Sequence, residues 1–322
     1  MATGPTTAQF PIAAGTPNIA DYNVSGMVPT LWSKLVNVKF FRRTVFGAIA
    51  NTKWEGEIKN YGDSVVIRND PDITISNYRK DGNLNYERPT AAPTTLLIDK
   101  GKSWSFSTNA IDTAQTDMKN YAARWTSTAS KQLTIQVDSD VLDNVYTDAH
   151  ASNTGATAGA VSGDINLGTI AGSSVQINTS TVITKMVEAN QVLAEQDIPV
   201  DDEQFFVVPP WFKSKLMLSD LKNASITGDS TSPMRNGLLG MIGEFKVYVS
   251  NNLLTATDGD GNTATYCYFG TRDAITFAGQ TTQNQIIDNP FDFGKWHRGL
   301  FSYGYKVVKP EALGVLICRP VA

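Results

Sequence analysis

The spacing of apolar residues changes along the 322-residue chain and predicts several kinds of structure. After Pro29, the residues Leu31, Leu35, Val38 and Val45 recur at roughly helical spacing, which predicts a short helix opened by the proline. Downstream of Trp54, the runs SVVIRND, ITISNY and TTLLIDKGKSWSFST are rich in β-branched and aromatic residues and are separated by turn formers. These runs predict a long hairpin. The apolar residues assigned to it are Val65, Val66, Ile67, Ile73, Ile75, Leu96, Leu97, Trp104 and Phe106.

The next segment predicts one long helix over 114–150. Neither glycine nor proline occurs between Lys102 and Thr154, and Asp112 or Thr113 can cap the helix. Its apolar residues step mostly by four, so the row winds around the helix, which would be about 55 Å long. Different layers must therefore pack on different stretches of it. The row consists of Met118, Tyr121, Trp125, Ala129, Leu133, Val137, Val141 and Val145.

Residues 179–279 predict a compact α+β region. Thr179 or Ser180 caps a helix, EQFFVVP reads as a short buried strand, and Pro210 opens a second helix. The runs FKVYVSNNLLT and TYCYFGTRDAITFAG, joined through ATDGDGNTA, predict an antiparallel pair. Extended structure returns near the end of the chain, where one strand face is predicted to carry Phe301, Tyr303, Tyr305 and Val307.

Charge and hydropathy exclude several classes of protein. The 27 basic and 31 acidic residues give a formal charge of −4, which offers no global attraction to nucleic acid or to an anionic membrane. No apolar run approaches the roughly 20 residues that span a bilayer. The N-terminus lacks the basic start and apolar core of a signal peptide, so we expect a protein made in the cytosol.

Residues that commonly carry chemistry are scarce. Cys267 and Cys318 lie in apolar, strand-like contexts that favour buried reduced thiols over a disulfide. His150 and His297 stand alone and read as helix-end or loop imidazoles. The run DGDGNT begins like a calcium loop but lacks its glycine and its final acid, so it predicts a hairpin turn. No catalytic residue, metal ligand or cofactor is predicted.

The order of these parts resembles the major capsid proteins of tailed bacteriophages, which have the Hong Kong 97 type fold. The resemblance is carried by GDSVVIRNDPDITISNYRKDGNLNYERPT, KSWSFSTNAIDTAQTD, FKVYVSNNL, YFGTRDAITFAGQ and RGLFSYGYKVVKPEALGVL, and in order it covers nearly the whole chain. It implies an α+β fold with four parts. These are an N-terminal arm and short helix over 1–53, an extended β-hairpin loop over 54–107, a peripheral domain with a long spine helix over 108–178 and 280–322, and an axial domain over 179–279.

The same resemblance implies what the protein does. Copies would assemble as hexamers and pentamers into an icosahedral head that encloses double-stranded DNA without sequence-specific binding. The protein would reside in the virion after assembly in the host bacterial cytoplasm. A portal protein and a decoration or cement protein are implied partners. The chain lacks the long N-terminal scaffold segment of the type member, so a separate scaffolding protein is implied.

The hairpin is the part expected to contact other subunits. A two-stranded hairpin is marginal alone, so we expect its apolar face to be buried on a neighbouring copy. Charges at its tip would set register more than strength, because exposed pairs contribute only about 0–1 kcal/mol each. The tip residues expected at these contacts are Arg79, Lys80, Asp81, Glu87 and Arg88.

Two alternatives stay open at this point. Encapsulins share the fold and form enzyme-filled compartments in cells, and assembly without a scaffold around peptide-tagged cargo would favour them. A β-rich hydrolase would instead need a convergent acid, base and nucleophile, and a single pocket with perturbed carboxylates would support it.

Overall fold

The computed structural model describes the chain from Phe41 to Val321 with several gaps. The described residues are 41–54, 64–68, 70–71, 73–78, 80, 86–90, 93–115, 121–198, 203–219, 241–242 and 244–321. The arm predicted over the first residues and the helix predicted after Pro29 both begin in 1–40, outside this part. The helices are α1 (Phe46–Ile49), α2 (Ala110–Gln115), α3 (Tyr121–Asn144), α4 (Thr181–Ala194) and α5 (Pro210–Leu218).

The strands of the described residues form three sheets. A two-stranded sheet pairs β1 with β2, and a three-stranded sheet has the order β10-β11-β3. A seven-stranded sheet has the order β4-β12-β9-β5-β7-β6, with β8 paired to β9. The strands are β1 (Ser64–Ile67), β2 (Thr94–Leu97), β3 (Lys100–Asn109), β4 (Val175–Ile177), β5 (Gln204–Val208), β6 (Met241–Ile242), β7 (Phe245–Val249), β8 (Thr255–Thr257), β9 (Thr263–Thr271), β10 (Ile275–Asp288), β11 (Gly294–Val307) and β12 (Leu313–Pro320).

The seven-stranded sheet is buried on both faces. Phe205 and Val207 of β5 face a first core, which also holds the C-terminal half of α3 and side chains of β10 and β11. Phe206 and Val208 face a second core against α4 and α5. Burial on both faces explains why β5 reads as a continuous apolar run, because neither side of the strand meets water.

The predicted long helix ends earlier in the structure than the sequence predicts. Helix α3 has 24 residues, about 36 Å at 1.5 Å per residue, and a 3-10 turn follows it at Val145–Asp148. Asn144 Nδ2 donates to Asp140 O at 2.7 Å, and Thr147 Oγ1 donates to Asn144 O at 2.8 Å. The Thr147 hydroxyl thus satisfies the carbonyl of the last helical residue, and the helix ends before residue 150. Residues 116–120, within the predicted helix, lie outside the described part.

Two predicted strand arrangements are wrong. Strand β7 does not pair with β9; it lies parallel to β5, and β9 instead pairs with β5, β8 and β12. Trp104 and Phe106 were assigned to the hairpin but lie on β3, which pairs with β11. The two rings stack on each other, and Phe106 also makes an edge-to-face contact with Trp125 of α3.

Other predictions are confirmed. On β11, Tyr303 and Val307 are buried in the first core, and Phe301 and Tyr305 pack against it. The DGDGNT turn joins β8 to β9, and Asp258 Oδ1 accepts the backbone N–H of Asp260 and Asn262. Cys267 and Cys318 are buried free thiols with their sulfurs 3.5 Å apart. The division of the chain into four parts stays a prediction; β12, from the range 280–322, pairs with β9, from the range 179–279.

Candidate intersubunit surface

The β1–β2 ladder carries apolar side chains on both of its faces. Val65 lies opposite Leu96, and Val66 lies opposite Thr95, in an antiparallel register. Because side chains alternate across a strand, the consecutive apolar residues of SVVI and TTLL must point to opposite sides. We call the side of Ile67 and Leu96 the inner face, and the side of Val66 and Leu97 the outer face.

The inner face is buried on the same chain. Ile67 and Leu96 pack against Ala278 of β10 and Val308 in a small cluster separate from the two cores. Gly304 of β11 lets the hairpin backbone approach closely, since a Cβ there would lie 1.8 Å from the Leu97 carbonyl oxygen. The expectation that the hairpin buries its apolar surface on a neighbour is therefore wrong for this face. Its own sheet supplies the partner.

The outer face is not covered within the chain. Val66 is 58% exposed and Leu97 is 50% exposed, although both belong to a regular strand pair. Further along the hairpin, other large apolar side chains are also exposed. They are Ile73, Ile75, Tyr78 and Tyr86. Single exposed apolar residues are ordinary on protein surfaces, but several of them on the strands and the residues between these strands indicate an interaction surface.

The predicted charged tip is only partly within the described residues. Lys80, Glu87 and Arg88 are exposed, and Arg79 and Asp81 lie outside the described part. Glu87 Oε1 accepts the backbone N–H of Thr74 at 2.6 Å, so this carboxylate links the two arms of its own hairpin. The role of all five residues between subunits stays a prediction.

A polar cluster fixes the base of the hairpin. Lys100, three residues after β2, has its Nζ 3.1 Å from Asp140 Oδ2 and 2.5 Å from the Tyr305 hydroxyl. The Tyr303 hydroxyl donates to Asp140 Oδ2 at 2.9 Å. Burial, followed by the hydrogen bond to Asp140, raises the pKa of Tyr303, so its hydroxyl stays a donor at neutral pH. The cluster ties β3 to α3 and β11, which gives the hairpin a rigid support.

A cavity at the far end of the three-stranded sheet tests the enzyme alternative. It measures about 700 Å³, and Thr108 and His297 on its wall bring Oγ1 and Nε2 to 3.4 Å. A nucleophile and base of this kind need a third group to orient the imidazole. Within the described residues no carboxylate is hydrogen-bonded to His297, whose ring stacks on Phe106. No group of three His, Cys, Asp or Glu side chains in that part of the chain could hold a metal ion.

Comparison with known proteins decides the family. A family model described as phage capsid protein matches residues 91–316, about two thirds of the chain. The chain belongs to the phage capsid protein family. It is a structural capsid protein of a virion shell and not an enzyme, so the hydrolase alternative is wrong. No curated protein matches the sequence.

Solved structures share the fold of this capsid protein. A structure from Mycobacterium phage Che8 is 22% identical with a TM-score of 0.73, over 90% of this chain and 96% of that one. The capsid structure of cyanophage P-SCSP1u is 14% identical with a TM-score of 0.68, over 96% of each chain. The bacteriophage PhiM1 mature capsid is 13% identical with a TM-score of 0.66, over 96% of this chain and 99% of that one. The fold is of the Hong Kong 97 type. Among the described helices, none is long and apolar enough to cross a membrane.

Proposed function

We propose that copies of this capsid protein form the hexamers and pentamers of a closed icosahedral head that encloses double-stranded DNA. In each copy, the outer face of the hairpin packs on a neighbouring copy. The observation that carries the proposal is the exposure of Val66 and Leu97 on a regular ladder whose inner face is already buried. A regular strand pair with apolar residues on both faces is suited to burial on both sides.

The free energy gained by burying this surface is modest for one contact between two copies, but it is large when summed over all the contacts of a shell. Burying the exposed half of a valine or leucine contributes about 1 kcal/mol. The outer face offers two such residues, and four more large apolar side chains follow along the hairpin. Because the same contact recurs between identical copies, small contributions add up over the particle.

The charged tip gives this contact its direction. Lys80 and Arg88 are exposed cations on a hairpin that also carries Glu87. We propose that they, together with Arg79 and Asp81, pair with charges on the next subunit and select its register. Exposed pairs of this kind contribute little energy but disfavour wrong arrangements.

The remaining partners follow from the same function. A net charge of −4 suits a container through which DNA slides, since a strongly basic lining would hold the phosphate backbone. We propose that assembly takes place in the cytoplasm of the host bacterium, with a scaffolding protein and a portal protein. A decoration or cement protein is a further proposed partner.

The test removes the apolar outer face and measures assembly. The double variant V66S/L97S and the wild type are expressed with and without a candidate scaffolding protein and are examined by light scattering and electron microscopy. The matched control is V161S/V187S, because both of its valines are exposed, by 83% and 63%, away from the hairpin. We expect megadalton closed particles from the wild type and the control, and small soluble species that remain folded, with a cooperative thermal transition, from V66S/L97S. Normal particles from V66S/L97S, or a strictly monomeric wild type under every condition, would contradict the proposal.

A further inference from the structure

Helix α3 contains a carboxylate that is fully buried in the first core. Asp138 has no exposed surface, and its neighbours on the helix include Val137, Val141 and Leu142, which are buried as well. An isolated carboxylate in such surroundings is strongly destabilising unless donors surround it. The groups that donate hydrogen bonds to Asp138 therefore indicate which parts of the chain it positions.

All of the donors to Asp138 come from distant parts of the chain. Oδ1 accepts the backbone N–H groups of Val45 and Phe46, both at 2.8 Å. Oδ2 accepts Nδ2 of Asn252 at 2.7 Å, and the same Nδ2 lies 3.5 Å from the carbonyl oxygen of Arg43. Within the described residues, no lysine or arginine forms an ion pair with Asp138. The carboxylate is satisfied by three N–H donors, and two of these are main-chain groups of the N-terminal segment.

These contacts replace a cap that the local sequence cannot provide. Helix α1 begins after Val45, whose side chain has no acceptor for the free N–H groups of the first turn. Asp138 supplies that acceptor from 93 residues away. The direction of the chain at residues 43–46 is therefore set by a side chain of α3.

A second anchor holds the other end of this segment independently. Asn51 N donates to Ile275 O at 2.8 Å, and Phe277 N donates to Asn51 O at 2.9 Å. Val45, Ile49 and Ala50 are buried in the first core between the two anchors. Loss of Asp138 would therefore release the chain before Phe46 and leave the Asn51 contacts in place.

We propose that Asp138, with Asn252, is a positioning residue that holds residues 43–46, within the predicted N-terminal arm and short helix, against α3. The pair links this segment to α3 and to the loop after β7. As far as it concerns assembly, this inference rests on the proposed function. A head built from identical copies needs this segment to be placed in the same way in every copy.

Hydrogen exchange of the full-length protein, read by mass spectrometry, tests the anchor directly. In D138A we expect the amides of Val45 and Phe46 to exchange about tenfold to a hundredfold faster, the ratio that corresponds to one hydrogen bond to a charged acceptor. The Phe277 amide, which belongs to the Asn51 anchor, should stay protected. The control is D143A, which removes a partly buried carboxylate from the same helix.

A conservative variant separates positioning from a general loss of stability. D138N keeps an oxygen acceptor for the main-chain groups, and Asn252 can turn its amide so that Oδ1, which has no partner, accepts from the new N–H₂ group. We therefore expect D138N to keep most of the protection at Val45 and Phe46 that D138A loses. Unchanged exchange in D138A, or an equal loss of protection in D138N and D138A, would overturn the anchor.

Particle formation is measured on the same variants. We expect D138A to give fewer or irregular particles, and D138N to give particles closer to those of the wild type. Normal particles from D138A, despite lost protection at Val45 and Phe46, would refute the role in assembly. A wild type that forms no particles would refute the proposed function, and the exchange result would still decide the anchor.

Discussion

Replacing Leu96 by alanine should loosen the hairpin within each subunit and leave the two cores folded. Leu96 is fully buried, and among the described residues its cluster contains three other buried members, Ile67, Ala278 and Val308. Replacing a buried leucine by alanine costs about 2–5 kcal/mol, and we expect about 3 kcal/mol for this small cluster. Because the cluster is separate from both cores, the cost falls on the attachment of the hairpin.

The neighbouring residue offers a matched control. Leu97 has the same side chain on the same strand but points to the outer face and is half exposed. L97A should cost about 1 kcal/mol or less within the subunit. It should instead weaken the contact between subunits, so the two variants are expected to fail in different assays.

Hydrogen exchange along β1 and β2 is the assay for attachment. A cost of 3 kcal/mol corresponds to about a hundredfold increase in the open population of the hairpin. We expect this increase for L96A, with little change in β5 or β9, and no comparable increase for L97A. If L96A left the hairpin amides unchanged, the inner-face contact would be refuted. If the hairpin and core amides accelerated together, the claim that the cluster is separate would be refuted.

Three further predictions concern other parts of the chain. G304A should detach the hairpin more strongly than L96A, because the added Cβ meets a backbone carbonyl that cannot move aside; unchanged exchange in β2 would contradict this. The Glu195 carboxylate accepts hydrogen bonds from the backbone N–H of Ser162, the Gln191 side chain and the backbone N–H of Val161. These bonds, of which that from Ser162 has the largest effect, lower the pKa of Glu195 from 4.5 to about 2. Its stabilising effect is therefore complete above pH 4.5 and is lost as the pH falls towards 2. E195Q should therefore lower the melting temperature at pH 6 but hardly at pH 2, and an equal loss at both would refute the assignment. Burial raises the pKa of the Cys267 thiol, so a thiol reagent should label neither this cysteine nor Cys318 in the native protein and both in denaturant; rapid native labelling would contradict their burial.

Local periodicity predicted the elements that depend on neighbours in sequence. The alternation of Phe301, Tyr303, Tyr305 and Val307 marks one face of β11, because a strand exposes its faces with a period of two. The run that became β5 was predictable for the same reason, since burial on both faces removes the alternation. These signals are carried by side chains a few residues apart.

The pairing and relative direction of the strands were harder to predict from the sequence. Strand β7 was expected beside β9 because the two are close in sequence, yet β5 lies between them in the sheet. Trp104 and Phe106 are apolar and alternate with serines, which fits a hairpin strand as well as β3. The partners β11 and α3 decide between these arrangements, and β11 lies far away in sequence.

In the intersubunit surface and around Asp138, local features were likewise predictable from the sequence and long-range contacts were not. Leu96 and Leu97 were predicted as apolar hairpin residues, but which of them faces inward depends on the close approach at Gly304. Asp138 was missed because a single acidic residue on a long helix reads as solvent-facing. A signal was present, since Asp138 precedes Val141 by three residues and Leu142 by four, which places it on the same side of α3 as these two apolar residues.

The most direct measurement is a cryo-electron microscopy reconstruction of particles assembled from the full-length chain. The account predicts a closed shell in which a neighbouring copy lies in van der Waals contact with Val66 and Leu97, while Leu96 stays packed on its own sheet. A shell whose hairpins leave Val66 and Leu97 facing solvent would contradict it.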